Sequence, residues 1–179
     1  MRWVILDRDG VINHDSDAYI KSPEEWVPIP GSLEAIAQLN RSGFRVVVVT
    51  NQAGVGRGLY DLATLDRIHA KMRKQVEEVG GHIEAIYFCP HGPEEGCHCR
   101  KPRTGLYEQF ASQFNVDLDG IPAVGDSLKD MQAAQSVGAE AILVETGNGR
   151  QTLKRNPKLD VPTFVNLHEA VQYILFTQG

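Results

Sequence analysis

The chain has 179 residues, 42% of them hydrophobic and 23% charged, with a formal net charge of −5. That suits one globular domain spanning residues 1–179, and it is too short for two ordinary ones. The acidic balance and the lack of a basic face count against a nucleic-acid partner. No apolar run reaches the roughly 18–20 residues that cross a bilayer, and acidic Asp7 follows Met1 too closely for a signal peptide. A cytoplasmic monomer is the expectation, and any phosphate-bearing ligand must find its counter-charge locally.

Apolar, β-branched runs alternate with segments of helical period, which predicts an α/β fold with a parallel sheet between helices. In chain order, a strand is expected at 3–6 and a helix at 32–42, stopped by Gly43. The valine-rich strand at 45–49 follows, then a helix at 61–79 with Asp61 as N-cap and Leu62, Leu65, Ile68, Met72, Val76 and Val79 as its apolar stripe. Further strands are expected at 85–88, 123–124, 141–144 and 163–165, and further helices at 105–114, 128–137 and 168–176. Ligands of such sheets bind at the carboxyl ends of the strands. The segments that follow them, 7–10, 50–58, 89–102 and 125–130, hold most of the unusual chemistry.

Asp7 and Asp9, two residues apart on an extended chain, point to the same side, and Gly10 permits a sharp turn behind them. One carboxylate can attack phosphorus to give an acyl phosphate, and the other can protonate the departing alkoxide and later deprotonate water. An Asp-rich turn closing a buried strand explains the pair equally well. At the end of the valine strand, the Thr50 hydroxyl and neighbouring N–H groups can hold phosphoryl oxygens, or form an ordinary polar strand end. Lys101 can neutralise charge beside a nucleophile or be a solvated cation. Asp126 can complete an oxygen shell for Mg²⁺ or cap the helix that follows.

All three cysteines fall between positions 89 and 99. Cys89, His91, Cys97 and Cys99 form a Cys₃His set suited to tetrahedral Zn²⁺ with no open position, a structural site that would pin the loop 89–101. His98 is the alternative to His91, which is favoured because it makes the two clasps alike. His69 and His168, within helices, are expected at the surface.

The order strand–DxDG, strand–T, Lys, strand–GDxxxD resembles the four motifs of the haloacid dehalogenase (HAD) superfamily, over residues 2 to 145. The CPH…CxCRKP stretch is similar to that of its histidinol-phosphatase-like branch, which includes heptose-bisphosphate and histidinol-phosphate phosphatases. The resemblance implies a three-layer Rossmann-like sheet without a cap domain, walled by the zinc loop and residues 15–19. It implies Asp7 as nucleophile, Asp9 as general acid/base, and Thr50 and Lys101 as phosphoryl stabilisers. Mg²⁺ would be held by Asp7, the main-chain carbonyl of Asp9 and Asp126, with Asp130 supporting from outside. Substrate contacts are expected from Arg8, Asp15, Ser16, Tyr19, Asn51, Gln52, Ala53, Arg100 and Lys101. Ser127 stands where some heptose enzymes have a Lys, and Lys129 is the candidate replacement. The implied reaction is removal of the C7 phosphate of D-glycero-D-manno-heptose 1,7-bisphosphate, a step toward the nucleotide-activated heptose of lipopolysaccharide core. Histidinol phosphate is the alternative substrate, and a non-catalytic zinc-loop binding module is the reading from another class.

Overall fold

The six apolar runs expected as strands all pair in a computed structural model that describes residues 1–179. They are β1 (Arg2–Leu6), β2 (Phe44–Asn51), β3 (Ala85–Cys89), β4 (Pro122–Gly125), β5 (Glu140–Val144) and β6 (Thr163–Phe164). All neighbours are parallel, in the order β3-β2-β1-β4-β5-β6. Alternation along the strands divides the core in two. Val4, Leu6, Val46 and Val48 face one side, and Trp3, Ile5, Val47 and Val49 face the other. Each fully buried valine side chain contributes about 1.5–3 kcal/mol, so β2 is fixed as an interior strand. It runs to Asn51, two residues past its expected end, because Thr50 and Asn51 stay in register with Phe88 and Cys89.

The helices are α1 (Ser32–Arg41), α2 (Ala53–Gly56), α3 (Leu62–Glu78), α4 (Gly105–Phe114), α5 (Leu128–Ser136), α6 (Gly149–Arg155) and α7 (Leu167–Gln178). Ile36 and Leu39 of α1, Ile68, Met72 and Val76 of α3, and Val171 and Ile174 of α7 cover the first face. Leu106 and Phe110 of α4 and Met131 of α5 cover the second. The result is three layers with helices on both sides of the sheet. Gly43, at φ +89°, ends the turn after α1 as expected, and the Asp61 side chain caps α3 by accepting from Thr64 N at 2.8 Å. Two expectations for α3 are corrected. Leu62 is 55% exposed, because it precedes the first turn that meets the sheet, and His69, only 6% exposed, sits in the buried stripe beside Leu65 and Ile68. His168 is exposed as expected. Neither α2 nor α6 was expected; both are too short to show a period.

No helix is long and apolar enough to cross a membrane. Nothing larger than α1 and a short turn of 3₁₀ helix lies between β1 and β2, so no cap domain covers the carboxyl ends of the strands. Strand order reverses at β1, whose neighbours are β2 and β4. Such a switch point opens a crevice. Asp7, the first residue beyond β1, is drawn there by donating its N–H to Val124 O at 3.0 Å.

Candidate active site

A cavity of about 330 Å³ opens at this switch point and is lined by Asp7, Asp9 and Asp126, by Asn51, Gln52 and Ala53, and by Arg100 and Lys101. Asp15, Ser16 and Tyr19 form part of the rim, together with Asp17, Arg57, Lys129 and Asn148. Five of the six segments that follow the strands thus reach or support one site.

Lys101 is buried at its centre, with Nζ 3.1 Å from Asp7 Oδ1, 2.7 Å from Asp130 Oδ1 and 2.8 Å from Val49 O. Burial alone would lower the ammonium, but the charges of Asp130 and Asp7 outweigh it and hold Lys101 well above its ordinary value. Asp7 Oδ1 also accepts from Arg8 N at 2.8 Å, which leaves Oδ2 without a protein donor. Asn51 positions Lys101 rather than offering a free amide. Its Oδ1 accepts from Lys101 N at 3.0 Å and its Nδ2 donates to Lys101 O at 3.2 Å.

Asp9 is held by a set of donors. Arg8 Nε and Asn13 Nδ2 each lie 2.9 Å from Oδ1, and Gln52 Nε2 lies 3.1 Å from Oδ2. Gln52 is fixed in turn by Tyr60, whose hydroxyl donates to Oε1 at 2.7 Å. Asp126 accepts from Asn148 N at 2.9 Å, and its own carbonyl accepts from Thr152 of α6 at 2.8 Å. Gly10 is required here, since a Cβ at that position would overlap Asp126 Oδ2, and its φ is +85°. Asp130 stands behind the others, with Oδ2 accepting from Asp126 N, Ser127 N and Ser127 Oγ. The true N-cap of α5 is therefore Ser127, in a capping box with Asp130.

Burial and the crowding of carboxylates together set their protonation. Burial first, then the Asp130 charge, pushes Asp7 up to about 8 against the opposition of Lys101. Asp126 is pushed up to about 9 by burial and the charges of Asp7 and Asp130. Burial would also raise Asp130, but the Lys101 charge and the donors of its cap outweigh it and hold it low. The ligand oxygens of Asp7, Asp126 and Asp130 all lie within 4.8 Å of one another.

Two expected contacts are corrected. Arg8 is 0% exposed and points away from the cavity, with NH1 3.1 Å from His69 Nε2 and NH2 2.8 Å from Asp9 Oδ1. It cannot touch a substrate from there. Thr50 is also 0% exposed, because β2 continues through it. Its Oγ1 accepts from Gln52 Nε2 at 2.9 Å and faces Asn51 O at 3.4 Å, so its hydroxyl does not line the cavity. Arg57, over the Tyr19 ring at 5.8 Å, was missed. The Gly56-Arg57-Gly58 run offered a signal, a cation held between two flexible residues.

Beside the cavity, Cys89 at the buried end of β3 meets His91, Cys97 and Cys99. Cys89 Sγ lies 2.8 Å from Cys99 Sγ and 3.5 Å from Cys97 Sγ, and His91 Nδ1 lies 3.3 Å from Cys99 Sγ. The four ligand atoms fall within 4.8 Å of one another, so the set can hold a metal ion. His98 is not part of it, since its ring pairs with Glu108 at 2.5 Å. The loop is tied to α2 by Gly56 N, which donates to Pro90 O at 2.7 Å. It presents Arg100 to the cavity, where Arg100 NH1 is buried without a partner. Partial desolvation and the Arg100 charge both lower the Lys129 ammonium.

The HAD-hydrolase-like family profile matches residues 98–170. The D-glycero-β-D-manno-heptose-1,7-bisphosphate 7-phosphatase of Bordetella bronchiseptica is 56% identical over 153 residues, 86% of each chain. The enzyme of the same name from Pseudomonas putida is 56% identical over 155 residues, 87% of this chain and 89% of that one. The crystal structure of D,D-heptose 1,7-bisphosphate phosphatase from B. bronchiseptica, complexed with magnesium and phosphate, superposes with a TM-score of 0.95 at 50% identity, covering 98% of this chain and 99% of that one.

Proposed function

The chain belongs to the heptose-1,7-bisphosphate 7-phosphatase family of the HAD-like hydrolases, and from that premise we propose that it removes the C7 phosphate of D-glycero-D-manno-heptose 1,7-bisphosphate through an aspartyl-phosphate on Asp7. The observation that carries this reading is the pairing, in one cavity, of a carboxylate held for attack with two cations, Arg100 and Lys129, that form no ion pair within the protein. In the first step an Asp7 oxygen bonds to phosphorus as the ester P–O bond breaks, and Asp9 gives its proton to the departing alkoxide. In the second, water attacks the acyl phosphate, Asp9 takes up its proton, and Asp7 leaves as carboxylate. Lys101 offsets the charge of Asp7 throughout.

The donor set suits Mg²⁺, a hard cation that prefers carboxylates, carbonyls and water. Asp7 and Asp126, both pushed up by burial first and then by neighbouring carboxylates, are carboxylates that lack enough positive charge, and they would hold the ion with the main-chain carbonyl of Asp9. When bound, Mg²⁺ offsets the repulsion between an anionic nucleophile and an anionic phosphoryl group. Asp130 is already committed to Lys101 and the α5 cap. Cys89, His91, Cys97 and Cys99 would hold a structural Zn²⁺ with a closed shell.

A bisphosphate would place its second dianion on Arg100 and Lys129, since the carboxylates of Asp15 and Asp17, which also line the cavity, would repel it. Guanidinium suits bidentate phosphate contact, and Lys129 takes the part that Ser127 cannot. Tyr19, Ser16 and Ala53 would contact the sugar. We place the reaction in the cytoplasm, carried out by a monomer, in heptose activation for lipopolysaccharide core. The test is turnover of purified protein with Mg²⁺ on heptose bisphosphate and on histidinol phosphate. The expected kcat/KM ratio favours the bisphosphate by about 100-fold or more, the scale of two charge-assisted contacts at about 1.5–3 kcal/mol each. Equal or better use of histidinol phosphate would contradict the assignment.

A further inference from the structure

We propose that His69 and Arg8 form a buried chain of hydrogen bonds that fixes the direction of the Asp9 carboxyl, which makes His69 a positioning residue for leaving-group protonation although it lies outside the cavity. His69 comes from α3, in the apolar stripe, with its ring against Phe88 at a centroid distance of 6.0 Å. Its Nε2 lies 3.1 Å from Arg8 NH1. A guanidinium has only donors, so Nε2 must accept and the ring proton must sit on Nδ1. Burial first, and then the Arg8 charge, holds His69 down to about 3, so the ring stays a neutral acceptor near neutral pH.

The planar guanidinium transmits this constraint. Once NH1 is pinned by His69, the plane of Arg8 is fixed, and so is the direction of Nε, 2.9 Å from Asp9 Oδ1. Asn13 Nδ2 reaches the same oxygen at 2.9 Å, whereas Oδ2 receives only the Gln52 amide, at 3.1 Å. An oxygen already facing Asn13 and both the Nε and the NH2 of Arg8 is a poor place for a proton. The acid proton of Asp9 therefore belongs on Oδ2, and the Arg8–His69 pair decides which oxygen that is and where it points. A buried imidazole that served only packing would be replaced at lower cost by leucine. This one supplies the sole partner of a buried Arg8 nitrogen.

The inference rests on the reading of Asp9 as general acid, and the test separates the two. kcat/KM reports the first phosphoryl transfer, in which heptose bisphosphate loses an alkoxide that needs a proton and p-nitrophenyl phosphate loses a stable phenolate that does not. In His69→Leu, the fall in kcat/KM on the heptose ester is expected to exceed the fall on the aryl ester by about tenfold or more, part of the range general acid catalysis contributes. His69→Gln, which returns an acceptor oxygen near Nε2, should restore the ratio of the two substrates toward that of wild type. Equal losses on both esters, or a Gln variant no better than Leu, would overturn the proposal. Asp9→Asn is the control. A loss there that ignores the leaving group would overturn the Asp9 reading and this proposal with it, whereas a selective loss in Asp9→Asn beside an unselective one in His69→Leu would overturn the proposal alone. ¹⁵N NMR of histidine-labelled wild type needs no variant to fold. A neutral Nδ1–H tautomer across pH 5 to 8 is expected, and an Nε2–H tautomer or ordinary titration would refute the chain of bonds.

Discussion

All three protons of the Lys101 ammonium are committed, to Asp7, Asp130 and Val49 O, and removing the group would leave buried carboxylates without compensation, at about 3–5 kcal/mol. His69 sits at the other pole of the same logic, buried and neutral. Its value falls from 6.5 to about 3 on folding, so between those limits the unfolded chain binds the extra proton. Stability then rises with pH across that window, and acidification below 6.5 removes up to about 1.4 kcal/mol per pH unit. His69→Gln should flatten this part of the curve in urea unfolding measured between about pH 4 and pH 7. A slope in the variant equal to that of wild type would contradict the neutral, buried assignment.

At the scale of elements, the strands were legible because each is a short apolar run ended by chemistry that does not belong in a core. The four valines of β2 left no other reading, and the segments after β1, β2, β3 and β4 all line the cavity. Residue types with two possible environments were not legible. Arg8 reads as a cation beside two aspartates and His69 as a polar helix residue, and only the pairing of α3 with the β1 terminus buries both. Thr50 was expected in the site because it follows the valines, and the longer pairing of β2 with β3 turned its hydroxyl inward.

The loop 89–101 gives two predictions. Elemental analysis should find zinc in the wild type and none in Cys97→Ser, and in that variant the loop should become open to limited proteolysis around residues 92–96. Full zinc loading in that variant would refute the ligand set. Arg100→Ala should lower kcat/KM on heptose bisphosphate about tenfold or more beyond its effect on p-nitrophenyl phosphate, since one charge-assisted contact contributes about 1.5–3 kcal/mol. Equal losses would assign Arg100 to the catalytic centre instead of the second phosphate.

For the molecule as a whole, function follows from where a parallel sheet changes direction. The switch at β1 brings Asp7 and Asp9 between the ends of β2 and β4, and those ends deliver Lys101's partners on one side and Asp126 on the other. With no cap domain, selectivity rests on the rim rather than on closure. The central claim is that phosphate passes through Asp7, and it can be tested by trapping. Asp9→Asn retains the nucleophile but cannot activate water, and p-nitrophenyl phosphate needs no proton to leave, so an acyl phosphate should accumulate. Borohydride reduction turns that acyl phosphate into homoserine, which peptide mass spectrometry locates. The account predicts homoserine at position 7, dependent on Mg²⁺ and absent from the Asp7→Asn, Asp9→Asn double variant. Modification at any other residue, or none while p-nitrophenolate is released in a stoichiometric burst, would contradict it.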